Sequence, residues 1–84
     1  MPTDTVIWTN DNWSDGVTIE IRRGNDGTPT HNPVVGRPRI AFGSSFPLTS
    51  DGESFWWLRT DPPSGQGYTE RPCYGTGATY EESV

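Results

Sequence analysis

The nucleophile and base inventory of this 84-residue chain is short: one cysteine, Cys73, and one histidine, His31. With Asp61 they would make a Cys–His–Asp set, in which the imidazole takes the thiol proton and the carboxylate holds the ring in its useful tautomer. No local pattern marks any of the three for that role. His31 stands between Pro29 and Pro33 with no acid or nucleophile beside it, and neither Cys73 nor Asp61 sits in a nucleophile-elbow pattern. Carboxylate pairs fare no better. Glu20 alternates with apolar residues, Glu53 follows a turn, and Glu81-Glu82 fall in the last stretch of sequence; glycosidase chemistry also needs a cleft that so short a chain hardly encloses. The expectation is a protein that is not an enzyme.

The run Asn10-Asp11-Asn12-Trp13-Ser14-Asp15-Gly16 gathers oxygen ligands and invites a calcium reading. Counted from Asp11, Trp13 takes the third position of an EF-hand loop and Arg22 stands where its bidentate acid belongs. A solvated turn rich in Asn and Asp fits better, with a different calcium geometry left open. The Gly-x-Gly pairs at 65–67 and 75–77 have no helix after them, so they read as turns rather than phosphate cradles. A single cysteine rules out an internal disulfide and a cysteine-rich zinc site. Neither metal nor cofactor is expected.

What remains is an aromatic and arginine surface. Trp13 in a polar loop, Trp56 and Trp57, and Tyr68 and Tyr74 beside Arg59 and Arg71 are the candidate binding residues, because Trp, Tyr and Arg bring large contact area at low entropic cost. Aromatic faces flanked by Asp, Asn and Arg also suit sugars, whose C–H faces stack on rings while polar groups bond the hydroxyls. The competing role is core: with few aliphatic residues, four Trp and three Tyr must supply much of the buried area, each large aromatic covering roughly 150–250 Å².

The formal charge is −5, from eleven acids against six bases, all of them Arg. That balance argues against nucleic acid, which needs a basic surface to neutralise phosphates. No apolar run is long enough to span a membrane as a helix, and the opening residues lack a secretory pattern. The chain is expected in the cytoplasm as made, and outside it only within a particle or after release.

The elements that must position these residues are strands. Val17-Thr18-Ile19-Glu20-Ile21-Arg22 alternates with period two, the mark of a half-buried strand. Thr5-Val6-Ile7-Trp8 is a shorter β-prone run placed to pair with 17–23 across the polar loop. Residues 28–36, broken by Pro29 and Pro33, read as an irregular or edge segment. Residues 37–42 alternate again, with Ile40 and Phe42 on one face, and Phe46-Pro47-Leu48 reads as a connection pinned to the core. In 53–60, Phe55 and Trp57 share one face and Trp56 and Leu58 the other, so both faces need cover, from a central position or from a partner. Segments 68–74 and 78–82 are further strand candidates, 78–84 being alternatively a flexible acidic tail. No stretch holds a helical period.

These readings converge on a single all-β domain over 1–84: a small β-sandwich or partly open barrel of about five to six short, mainly antiparallel strands with little or no helix. The function expected is a non-enzymatic interaction module that binds protein partners and copies of itself, as a structural or assembly component. The alternative is a small carbohydrate-binding module using exposed Trp and the Asp/Asn loops.

Overall fold

Two alternating strands set the architecture. In a computed structural model that describes residues 3–61, 67–72 and 75–84, strand β1 (Thr5–Thr9) turns Val6 and Trp8 inward, and strand β2 (Val17–Gly24) turns Val17, Ile19 and Ile21 inward. All five are essentially inaccessible to solvent. The two strands belong to different sheets, and their inward faces are the two walls of one core completed by Ile40, Phe55 and Val84. Trp8 and Phe55 meet edge to face, with centroids 5.2 Å apart and planes at 89°. Such a pair is worth about 1 kcal/mol beyond the area it buries.

The smaller sheet has the order β5 (Ser45–Thr49), β1, β8 (Thr79–Ser83). β5 runs antiparallel to β1, opposing Phe46 to Trp8 and Leu48 to Val6, whereas β8 runs parallel to it, opposing Tyr80 to Val6. The larger sheet has the order β3 (Val34–Gly36), β2, β6 (Ser54–Arg59), β7 (Thr69–Arg71), and the short β4 (Arg39–Ile40) pairs with the start of β2. The β2–β6 ladder is the longest in this sheet, running from Ile19 opposite Arg59 to Gly24 opposite Ser54. A single 3₁₀ turn, Pro29–His31, is the one helical element among the described residues. None of their helices is long and apolar enough to cross a membrane.

The chain is thus the all-β sandwich its periodicity predicts, with local differences that have physical causes. Among the described residues it has eight strands, more than the five to six expected. β5 forms where Phe46-Pro47-Leu48 reads as a connection. It is an edge strand, and an edge tolerates a residue that cannot donate to a ladder. β1 does not pair with β2 but crosses to the facing sheet, because buried Asn10 ties the chain at the end of β1 to the 43–44 turn: Asn10 N–H donates to the Ser44 carbonyl at 3.1 Å, and Gly43 N–H to that of Asn10 at 2.7 Å. Of the two readings of 78–84, the strand is what forms. Tyr80 packs against the core, Val84 is buried in it, and Val84 N–H donates to the Thr9 carbonyl at 2.9 Å. The alternation read through Phe42 stops at Ile40, which is buried, while Phe42 lies beyond β4 in solvent.

β6 buries a large aromatic side chain on each face. Phe55 is wholly buried and Trp57 packs on the core beside it; on the opposite face Trp56, level with Arg22 of β2 and Glu70 of β7, is only 5% exposed. A central position in the larger sheet pairs both edges of this strand, while Trp57 and Leu58 stay partly exposed.

Candidate functional site

The loop joining β1 to β2 is built on Asn10, whose side chain is inaccessible to solvent. Its Oδ1 accepts the N–H groups of Asn12 (3.1 Å) and Trp13 (2.9 Å), and its Nδ2 donates to the carbonyls of Trp13 (2.9 Å) and Ile40 (3.0 Å). Four bonds from one amide make it an internal scaffold of the kind Asn supplies in tight turns. The Asn10 oxygen is engaged with backbone donors, and no group of three or more metal-ligating side chains forms among the described residues. The loop closes with Gly16 N–H donating to the Trp13 carbonyl at 2.9 Å. Gly16 has φ +84°, and a Cβ there would come within 3.1 Å of the Arg39 guanidinium. Glycine is needed here twice over, for the turn and for the close approach of Arg39.

Around this loop four side chains interlock. The Arg59 guanidinium carbon lies 3.7 Å from the centroid of the Trp13 ring, a stacked cation–π contact. Arg59 Nε is 2.9 Å from Asp61 Oδ1, and Arg39 reaches Asp61 Oδ2 at 3.6 Å from the other side. Arg39 also donates to the Asp15 carbonyl and to Thr18 Oγ1. Burial pushes the Asp61 carboxyl up, but bonds from Arg59 and from the Thr18 backbone, with the attraction of Arg59, outweigh it and hold the group below the usual carboxylate range. The contacts of Arg39 with Asp15, Thr18 and Asp61 place it across the mouth of the loop, with its side chain 59% exposed.

Trp13 and Phe42 are the large apolar side chains left exposed among the described residues, at 36% and 57%. They line neighbouring depressions of about 240 and 380 Å³ that share Ser14, Asp15, Gly16 and Arg39 as a common wall. The result is an open, shallow surface at one end of the sandwich with an aromatic side chain on either side of an anchored arginine.

Seven residues were named from the sequence, and of the six that are described two, Trp13 and Arg59, belong to this surface. Trp56 and Trp57 are taken into the sheet and the core. Tyr68 is half-buried elsewhere on the larger sheet, its hydroxyl donating to Glu20 Oε1 and accepting from Arg22 Nε at 2.9 Å. The Tyr68 hydroxyl draws the Glu20 carboxyl below its ordinary range against burial, with help from Arg22 and Arg37; burial, and then Glu20, push the Tyr68 hydroxyl up. Arg71 is half-buried and paired with Glu82 of β8. Tyr74 lies outside the described residues, as does Cys73. Alternation is the reason for the scatter: residues 55, 57 and 59 share the inner face and 56 and 58 the outer one, so neighbours in sequence are not neighbours on a surface.

Of the Cys73, His31 and Asp61 set, the two described members have other partners. His31 Nδ1 lies 3.1 Å from Asp26 Oδ2 on an exposed turn, while Asp61 is engaged by two arginines. A backbone bond from Thr28 and then His31 lower the Asp26 carboxyl.

Phe42 and Arg39 were not singled out by the sequence, and Asp61 and Asp15 were singled out only for other chemistry, a Cys–His–Asp set and a calcium loop. One signal was present: Arg59 and Asp61 are two apart at a strand end, the spacing that puts side chains on one side of a strand. For Phe42 the signal was Gly43 directly after it. Nothing local joins Arg39 to Asp61.

Neither a family model nor a curated protein matches the sequence. Among solved structures, the Bacillus anthracis TIE protein has a similar fold, with a TM-score of 0.67 over 99% of this chain at 10% identity. This chain spans 16% of that one. The likeness is one of fold.

Proposed function

We propose that this chain is a non-enzymatic interaction module whose recognition surface is the loop end around Trp13, Arg39, Arg59 and Phe42, and that its ligand is a protein. The observation that carries the reading is the pairing of exposure with rigidity. Two large aromatic side chains stay in solvent although the core is otherwise closed over Trp8, Phe55 and Trp56, and the wall between them is pinned by hydrogen bonds. An ordered aromatic–arginine surface suits binding, since little side-chain freedom is left to lose on contact. Self-association through this surface is one form such a protein contact would take.

A carbohydrate ligand is the second reading, favoured by the Asn12, Asp15 and Asp61 groups around the indole. It would use the ring face opposite Arg59, whose guanidinium already covers the other.

Light scattering over a concentration series, on the wild-type chain and on Trp13→Ala/Phe42→Ala, tests the proposal. Association abolished by the double substitution makes the loop end a contact between copies. A monomer at all concentrations directs the search to other proteins and to a glycan panel, with the double variant as control. A partner held equally well by the double variant, or association indifferent to it, contradicts the assignment.

A further inference from the structure

Charge around the loop end narrows the partner, on the premise that this surface is the binding site. Each of the six arginines of the chain is already committed to a carboxylate: Arg22 and Arg37 to Glu20, Arg23 to Glu53, Arg39 and Arg59 to Asp61, and Arg71 to Glu82. The excess of acids over bases therefore falls on carboxylates that hold no arginine. Among the described residues three of these, Asp11, Asp15 and Glu81, are exposed and line depressions at this same end.

The geometry is continuous. Asn12 lines the Trp13 depression and donates through Nδ2 to Ser83 Oγ at 3.3 Å and to the Val84 carbonyl at 3.0 Å. Ser83 in turn lines a depression of about 450 Å³ that also holds Asp11, Glu81 and Glu82, with the hydroxyls of Thr9 and Ser45. One path thus runs from Phe42 over Arg39 to Trp13, and past Asn12 to the acidic depression. Aromatic contact lies at one end of it and uncompensated negative charge at the other.

We infer that the partner is a cationic polypeptide segment, one that lays apolar side chains against Phe42 and Trp13 and sets lysine or arginine side chains against Asp15, Asp11 and Glu81. Charge complementarity is the ground for this choice. A second copy of this chain is a poor occupant, because it carries the same net charge of −5 and would bring like charge towards the acidic depression. An acidic ligand would meet Asp15 on the shared wall and find Arg39 with its donors turned to Asp15 O, Thr18 and Asp61.

The test uses the full chain, a short synthetic peptide alternating arginine and leucine, and the same peptide with glutamate or with serine in place of arginine, followed by tryptophan emission and calorimetry. The basic peptide is expected to bind and to change Trp13 emission. Its affinity should fall with added salt, as expected for exposed charges, and drop about tenfold in Asp11→Asn/Asp15→Asn/Glu81→Gln. The Trp13→Ala/Phe42→Ala variant should lose binding, with circular dichroism showing that both variants remain folded. Binding of the glutamate or serine peptide as tightly as the basic one, or no effect of the triple variant, overturns the cationic partner. If that binding is still lost in the aromatic double variant, the loop-end surface itself stands. Basic-peptide binding unaffected by the aromatic double variant overturns both, since it would then report acidity alone. No binding by any of the three peptides overturns the cationic inference.

Discussion

The Arg59 guanidinium carbon lies over the Trp13 ring, 3.7 Å from its centroid, while Arg59 Nε is held 2.9 Å from Asp61. Arg59 is 8% exposed and sits at the end of β6. The contact therefore couples the loop that follows β1 to a central strand of the other sheet. It explains how a tryptophan in a polar loop can be both exposed and ordered, and it has consequences that can be measured.

Removing the indole uncovers a charged group held at the edge of the core. Trp13→Ala should destabilise the chain by about 1–2 kcal/mol through loss of the cation–π contact and the packing of the guanidinium. Trp13→Phe should retain a good part of that, since a phenyl face still attracts the cation. Chemical denaturation of the three proteins compares them directly.

Asn10 supports the same loop from inside. In Asn10→Ala the Asn12 and Trp13 N–H groups and the Ile40 carbonyl lose their partner. A loss of about 3 kcal/mol is expected, at roughly 1–1.5 kcal/mol for each group left without a bond. Thermal unfolding measures it, and a shift in Trp13 emission should accompany it because the loop loses its template.

Gly24 closes β2 against the buried side chain of Asn32. A Cβ at residue 24 would fall 2.1 Å from Asn32 Oδ1, and that oxygen accepts the Asp26 N–H while Asn32 Nδ2 donates to the Asp26 carbonyl. Gly24→Ala should cost about 1–3 kcal/mol, in the range of overpacking, and loosen residues 26–32. Hydrogen exchange at the Asp26 amide is the local readout.

Acid should weaken the fold through Glu20 and Asp61. Both carboxyls are lowered in the folded chain, so their contribution is complete above the ordinary carboxylate range near pH 4 and is lost as pH falls through the lowered folded values. Stability measured between about pH 7 and pH 2 should fall less steeply in Glu20→Gln and Asp61→Asn than in the wild-type chain, since each variant removes one group from the linkage.

Much of this fold could be read in the sequence. The alternation at 17–22 and 5–8 identified β2 and β1 because a half-buried strand leaves a period of two that no other element imitates. The two-faced run at 54–58 marked a strand, and that strand takes a central place in the larger sheet. The strand pairing was not legible. Whether β1 pairs with β2 or crosses to face it is settled by the long-range bonds of Asn10 to Ser44 and Ile40, which no local pattern announces. The candidate surface was half legible for the same reason. Trp13 stood out as an aromatic residue in a polar loop, but Phe42 was read as part of a strand that ends two residues earlier. Arg39 reaches Asp61 only once β4 lies on β2.

The most direct test of the central claim is acrylamide quenching of tryptophan emission in the wild-type chain and in Trp13→Phe. Trp13 is the most exposed tryptophan, so the wild-type emission should contain a readily quenched component that Trp13→Phe lacks, leaving the emission of buried Trp8 and Trp56 and of partly buried Trp57. Equal quenching of the two proteins would contradict the account, because Trp13 would then not be the aromatic side chain presented at the loop end.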